Sequence, residues 1–388
     1  MELIKNKIKE INISEKELSI LSLIEINSFN TNGFLPNKEE VFKAFNTNTI
    51  SENISTCTLA FSPSFELNSN LNNCVFDKEV SLKLNDKIVG KITKTCTFEN
   101  DKAYTSIFNA NTCKLSKELN PCLSGKIEIF DNEFKKVKLA LNKKIAKDNA
   151  KKITALLLNA DPITRAHERM LRWTIDKADL VIIFVVEGYD SNSLNYEAKR
   201  ECFEYYAKNF LPLERIFPVY LKNIDLFSPY LDPNYECLLA SSFGANKLVI
   251  GQNHQGLGLF YDNNLAHTAI DELSRKSGLE LIVLPEFVFC NKCNVMVSTK
   301  SCPHGAHHHI KYRSSMIREM LHSGLIPPTV LVRKEISAKL LAHLHPNRFK
   351  NVQMIYDGLF PSNGIIEKRS DEDLYKELIT LYQTSYMI

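Results

Sequence analysis

An α/β architecture with a β-rich leading part is predicted for this chain on three observations. From Ile153 onward, short apolar runs alternate with amphipathic stretches, as in a parallel sheet with crossover helices. Residues 50–135 instead carry alternating segments separated by turn formers. A length of 388 residues exceeds one ordinary domain and fits two or three.

In the leading part, the segment before Leu23 and the run Glu39 to Phe45 mix polar and apolar faces and are the helical candidates. Val80 to Leu84, a turn at Asn85-Asp86 and the run Ile88 to Thr93 read as a hairpin, with a further strand at Thr95 to Phe98. Lys135 to Lys152 holds eight Lys in eighteen residues, is low in turn formers, and reads as a solvated helix or linker. It divides a β-rich domain at 1–148 from an α/β domain.

The second domain, 149–328, has strand candidates at Ile153 to Leu158, Leu180 to Val186, Ile216 to Leu221, Leu248 to Gly251 and Leu279 to Leu284. Helices are expected near 165–178, 195–209, 234–244 and 264–276, which together make a Rossmann-like parallel sheet. A helical subdomain at 329–388 completes the chain, with helices near 334–344 and from about Asp371.

Composition narrows the function classes. Hydrophobic residues make up 44% and charged residues 24%, the balance of a folded globular chain. Forty-eight Lys and Arg against forty-five Asp and Glu leave +3, so no global field argues for a nucleic-acid or membrane-surface partner. The longest apolar run, Leu180 to Val186, is far short of the roughly 20 residues a spanning helix needs. Charges throughout the first twenty residues are unlike a secretory signal, so a cytoplasmic protein is expected. In that compartment the ten Cys should be buried thiols, metal ligands or nucleophiles.

Chemistry concentrates at three junctions. After the first strand of the second domain come Asn159, Asp161, Thr164 and His167, with Thr164 placed to cap a helix and His167 in its first turn. Such a terminus carries about half a positive charge and attracts an anion, while the imidazole adds a directed donor. An ordinary capped helix with a surface His gives the same pattern. At the fourth strand Gly251, His254, Gly256 and Gly258 gather at a carboxyl end, where open α/β sheets bind ligands and glycines let backbone approach a nucleotide. His254 could equally be a structural residue of that turn. Further on, Ser314 and Ser315 precede an amphipathic helix carrying Arg318, suited to cap it and grip phosphates.

A metal site is legible independently. Cys290 and Cys293 form a Cys-x2-Cys knuckle, followed by Cys302 and a choice of His304, His307, His308 and His309. Thiolates at this spacing suit tetrahedral Zn2+ in a closed, structural site. His307 fits the usual ligand spacing best as fourth ligand, with His304 and His309 as competitors; free thiols beside a surface His cluster are the alternative. Trp173, on a helix beside Met170, reads as core.

Across its length the chain resembles the ATP sulfurylases, within the nucleotidylyltransferases that use an HxGH-type signature. Asn32 to Leu35 looks like the family's opening Gly-Phe motif, Gly251 to Gly258 is similar to its GRDHAGPG turn, and Tyr312 to Leu321 to its ISGTKVREML segment. The resemblance implies a PUA-like N-terminal domain, a nucleotidylyltransferase domain, and transfer of AMP from Mg2+-bound ATP to an oxyanion such as sulfate. It implies roles for Thr164, His167 and Arg318 in catalysis, and for Asn159, Asp161, His167, Gly251, His254, Gly256 and Ser315 in nucleotide binding. His167 would donate to the phosphates, His254 would lie beside the nucleotide, and Arg318 would meet the β or γ phosphate. A structural zinc and a homo-oligomer are implied in the same way.

The departures are specific. Where the family has QxRNPxHxxH, this chain has Leu158, Ala160, Asp161, Pro162, Thr164 and His167, without the Gln and Arg offered to sulfate. Asp161-Pro-Ile-Thr-Arg-Ala-His167 looks like the DPxTxGH of phosphopantetheine-type adenylyltransferases, so the nucleotide half is retained. Arg165, Arg172, Lys199 and Arg200 are the cations that could replace the lost ones. A remodelled acceptor pocket is therefore expected. A nucleotidylyltransferase with another acceptor, or a non-catalytic nucleotide-binding paralogue, are the alternative readings. No GxxxxGK[ST] loop occurs in the sequence, which excludes a fused adenylylsulfate kinase within it.

Overall fold

The computed structural model describes residues 7–29, 31–41, 60–64, 66–68, 71, 74–99, 120–187, 192–224, 227, 234–251, 274–275, 277–311, 313–360 and 367–384. The chain forms two compact units. One comprises Met1–Leu157, Asp179–Glu187 and Phe217–Ile282, the other Leu158–Ala178, Gly188–Ile216 and Val283–Ile388. These units interleave along the chain. The strands that share one sheet gather in the first unit, while the helices at 165–176 and 196–210 that connect three of them fall in the second.

In chain order the elements begin β1 (Lys7–Asn12), α1 (Glu15–Glu25), β2 (Phe34–Leu35), β3 (Val75–Leu84), β4 (Lys87–Phe98), β5 (Cys122–Ile129) and α2 (Glu133–Asp148). There follow β6 (Ile153–Leu158), α3 (Arg165–Asp176), β7 (Leu180–Val186), α4 (Tyr196–Phe210), β8 (Ile216–Leu221), α5 (Asn234–Ser242), β9 (Lys247–Gly251) and β10 (Glu280–Leu284). The last are β11 (Phe287–Cys290), β12 (Val295–Ser298), β13 (His309–Ile310), α6 (Ser314–His322), α7 (Lys334–Leu344), α8 (Val352–Leu359) and α9 (Asp371–Thr384).

In the first unit, one sheet has the order β1-β3-β4-β5-β2, with β1 parallel to β3 and the other pairs antiparallel. The hairpin turn falls at Asn85 (φ 48°) and Asp86 (φ 64°), both in the left-handed region that a two-residue turn between twisted strands requires. Helix α1 opens with a capping box: the Ser14 N–H donates to Glu17 Oε2 at 2.7 Å and the Glu17 N–H to Ser14 Oγ at 3.2 Å. Its Ile20, Leu21, Leu23 and Ile24 are buried. The Lys-rich run is a helix, α2, of which only Leu141 is fully buried, so the lysines lie on a solvated face as expected.

The second sheet of this unit has the order β10-β9-β6-β7-β8. The chain starts at the central β6, winds outward to β7 and β8, then returns to β9 and β10 on the other side, and β6 pairs parallel with β9. This is the order of a doubly wound sheet, with its switch point between β6 and β9. All seven residues of β7 are buried, which is why that run reads as continuous rather than alternating. Phe184 of β7 meets Phe243 edge-on, with ring centres 5.2 Å apart. Three strand bounds coincide with those read from sequence, and the last two strands in chain order, β9 and β10, each shift by one residue at their start. The helix expected at 264–276 lies outside the described residues except at 274–275.

The second unit contains α3, α4 and α6 to α9 with an antiparallel three-stranded sheet, order β12-β11-β13, that the sequence pattern does not predict. Its strands are only two to four residues long, too short for periodicity to register. Helix α6 begins at Ser314 with Arg313 at its N-cap and no side-chain cap bond, so the serines sit inside the first turn rather than capping it. Among the described residues no helix is long and apolar enough to cross a membrane.

Candidate functional site

Thr164 ends the loop after β6 in extended conformation (φ −116°, ψ 168°) and caps α3. The Thr164 N–H donates to Nδ1 of His167 at 3.1 Å, and the His167 N–H reaches Thr164 Oγ1 at 3.5 Å. An imidazole thus fills the place that Glu or Gln takes in a capping box. A nitrogen that accepts from a backbone N–H cannot itself carry the proton, so the neutral ring is protonated on Nε2. Burial pulls the His167 pKa from 6.5 down to about 4, which keeps the ring neutral at ordinary pH. Thr164 and His167 line a cavity of about 140 Å³ with Ser314, Ile317 and Leu331, closed on its apolar side by Phe287, Val288, Phe289, Met296 and Ile310.

Asp161 is buried, and its Oδ1 accepts the Leu194 N–H at 3.0 Å. Its Oδ2 lies 3.2 Å from Arg318 Nη1, which also reaches the Asp161 carbonyl at 3.4 Å. Arg318 is itself buried. Its guanidinium therefore anchors the loop before α3, where the sequence pattern points it at a phosphate. An Arg one turn into a helix is exposed in a periodicity argument, and only the packing of α6 beside the 161 loop buries it. Ser315 is exposed and borders a second cavity of about 570 Å³ with Asn192, Ser193, Arg318, Glu319, His322 and Ser323. There the Ser193 hydroxyl is buried without a hydrogen-bond partner among the described residues.

Asn159 is exposed just beyond β6, and Gly251 closes β9, the strand next to β6, in the first unit. His254 and Gly256 lie outside the described residues. The four cations considered as replacements for lost acceptor ligands are engaged elsewhere. Arg165 bonds Thr329 O and Glu168, Arg172 bonds Phe210 O, Arg200 pairs with Glu204, and buried Lys199 faces the Tyr196 ring. Trp173 is half-buried under Lys177, with the ammonium 4.8 Å from its ring centre.

The residues that sequence reasoning missed are Glu168 and Arg333. Arg333 Nε and Nη2 grip the two oxygens of Glu168 at 2.7 and 2.8 Å, and the guanidinium lies 3.7 Å from the Phe210 ring centre. An acid in a first helical turn is ordinary, and nothing local links it to an Arg 165 positions away.

At the knuckle the sulfurs of Cys290, Cys293 and Cys302 gather with Nδ1 of His304, all four atoms within 4.8 Å of one another. His304 Nδ1 lies 3.4, 3.2 and 3.7 Å from the three sulfurs in turn. The fourth member is thus His304 and not His307, which is exposed and packs against His308 with ring centres 4.0 Å apart. The reason is local: His304 follows Cys302 by two residues and turns back into the knuckle, whereas the short helical turn at 306–308 carries His307 outward. Burial raises the Cys290 thiol pKa, but N–H donation from Cys293 and Lys292, together with hydrogen bonds from the Cys302 and Cys293 thiols, outweighs it and brings the value to about 6. Three sulfurs, one already inclined to ionise, and a single imidazole nitrogen fit the donor set of a closed Zn2+ site.

A model of the ATP-sulfurylase family matches residues 132–343. A sulfate adenylyltransferase of Carboxydothermus hydrogenoformans is 24% identical over 226 residues, covering 56% of this chain and 59% of that protein. Another, from Persephonella marina, is 27% identical over 195 residues, covering 49% and 50%. The chain thus spans between half and six tenths of the length of these relatives. Among solved structures, the hexameric APS kinase from Thiobacillus denitrificans superposes with a TM-score of 0.62 at 14% identity, covering 87% of this chain and 63% of that one, a likeness of fold.

Proposed function

The chain belongs to the ATP-sulfurylase family, and on that premise we propose that it transfers the adenylyl group of Mg2+-bound ATP to a small oxyanion, sulfate in the first place, with release of pyrophosphate. The observation that carries this reading is the His167 imidazole, kept neutral and held by Thr164 so that its one N–H, on Nε2, is a fixed donor at a cavity. In-line attack by the acceptor oxygen at the α-phosphorus breaks the bond to the bridging oxygen, and charge grows on the departing pyrophosphate. A preorganised donor aimed at that charge lowers the barrier, and no protein nucleophile is needed.

The partial positive charge at the start of α3 favours the phosphates, with Thr164 Oγ1 as a further hydroxyl donor. At about 140 Å³ the cavity matches the size of apolar cavities that admit a benzene-like ring, and its Phe, Met and Ile walls suit the face of the adenine. By resemblance we assign Asn159, Gly251, His254, Gly256 and Ser315 to nucleotide binding, while Arg318 paired with Asp161 holds the loop before α3. With Leu158 and Ala160 at the positions where the family offers Gln and Arg, the acceptor pocket is remodelled and sulfate is held weakly. Cys290, Cys293, Cys302 and His304 would hold a structural Zn2+, which ties the β11–β12 turn to the residues before β13. By resemblance we also assign a PUA-like leading domain and self-assembly, and from the charged first twenty residues a cytoplasmic location.

Pyrophosphate release with ATP and sulfate, then with molybdate or phosphate, tests the proposal. Turnover in the wild type and its loss in His167→Ala are expected. ATP binding by calorimetry without turnover on any acceptor would mark a nucleotide-binding protein that has lost catalysis.

A further inference from the structure

We propose that Arg333 is a positioning residue that sets the His167 donor through Glu168, an inference that rests on the adenylyl-transfer reading for its catalytic consequence only. Residues 329–333 hold the first turn of α3 at four points. The Leu331 carbonyl accepts the Arg165 N–H at 2.7 Å and the Thr329 carbonyl accepts Arg165 Nε at 3.2 Å. Arg333 then clasps both Glu168 oxygens, while Arg165 Nη1 approaches Oε2 of the same carboxylate at 3.3 Å. Both held residues, 165 and 168, flank His167.

The clasp is built to be rigid. The side chain of Glu168 is 9% accessible and that of Arg333 16%, so the carboxylate depends on its guanidinium partners for compensation. A planar fork that bonds both oxygens fixes the carboxylate in position and angle, which a single ammonium cannot do. The far face of the guanidinium rests on Phe210, so the fork has no freedom to swing. With Glu168 fixed, its N–H holds the Thr164 carbonyl at 3.0 Å, and Thr164 in turn holds His167 Nδ1. The chain of bonds thus runs from the N-cap of α7 to the tautomer and direction of the imidazole.

The test compares wild type with Arg333→Met, Arg333→Lys and Glu168→Gln by imidazole nitrogen NMR and by steady-state pyrophosphate release. In the wild type a single tautomer protonated on Nε2 is expected. In Arg333→Met the His167 signals should report a mixture of tautomers, with kcat down about tenfold and KM for ATP changed less than about twofold, as for a donor that acts on the transition state. Arg333→Lys should fall between the two. A folded Arg333→Met with an unaltered imidazole spectrum, or a raised KM at unchanged kcat, overturns the proposal. Should Arg333→Met fail to fold, the Lys and Gln variants carry the same readings. If the wild type turns over no acceptor, the adenylyl-transfer reading fails while the tautomer measurement still decides the positioning role.

Discussion

Nη1 of Arg318 lies 3.2 Å from Oδ2 of Asp161, with 7% and 5% of the two side chains accessible. A buried pair of this kind contributes little net stability while intact, yet breaking it leaves one charge in a dry setting. Arg318→Ala should therefore cost roughly 3–5 kcal/mol of unfolding free energy. The paired change Arg318→Met with Asp161→Asn should cost clearly less. Urea unfolding of both variants checks this. A destabilisation confined to the ATP-bound protein would instead mean that Arg318 serves the nucleotide directly.

The imidazole of His167 sets a pH window. With a folded pKa of about 4 against 6.5 unfolded, the unfolded chain takes up a proton between these values that the folded chain refuses. Stability therefore rises with pH through that window and is fully present above about 6.5, the difference being up to about 3 kcal/mol. Denaturation at pH 4.5 and 7 should show a smaller loss on acidification for His167→Asn than for wild type. By the same logic the His-linked acid limb of kcat/KM should fall near pH 4 rather than near 6.5.

Metal content distinguishes the histidines of the knuckle. His304→Ala should lose bound zinc, whereas His307→Ala should keep about one zinc per chain, measured by elemental analysis after dialysis. Chelation of the wild type should lower Tm by several degrees, as expected when a structural ion is withdrawn from the folded state. Equal zinc in both variants would exclude His304 from the ligand set.

Acceptor affinity follows from charge. A charge-assisted hydrogen bond contributes about 1.5–3 kcal/mol, so two missing at Leu158 and Ala160 should raise the sulfate KM by roughly two to four powers of ten over a site that has them. Ala160→Arg should recover part of this, read as a lower sulfate KM at little-changed KM for ATP.

Filling the cavity beside His167 probes the base. Met296→Trp should raise KM for ATP at least several-fold while leaving kcat within about threefold, because the wall meets the nucleotide equally before and during reaction.

Much of this molecule is written locally. The five strands of the doubly wound sheet are legible because each is a short apolar run, and the capped turn at Thr164 and His167 because it depends on residues three apart. The Cys-x2-Cys knuckle is of the same kind. The strands β11 to β13 are not legible, since two to four residues carry no measurable period.

By itself, then, the amino-acid order determined the doubly wound sheet, the helix cap that presents an imidazole, and the three thiols of the knuckle. Tertiary structure alone decided that Arg318 faces Asp161, 157 positions away, and that Arg333 faces Glu168. The physical reason is that a hydrophobic period or a cap is satisfied within one or two turns of chain, whereas a buried charge is satisfied by whichever opposite charge the packing of separate elements brings within hydrogen-bond reach.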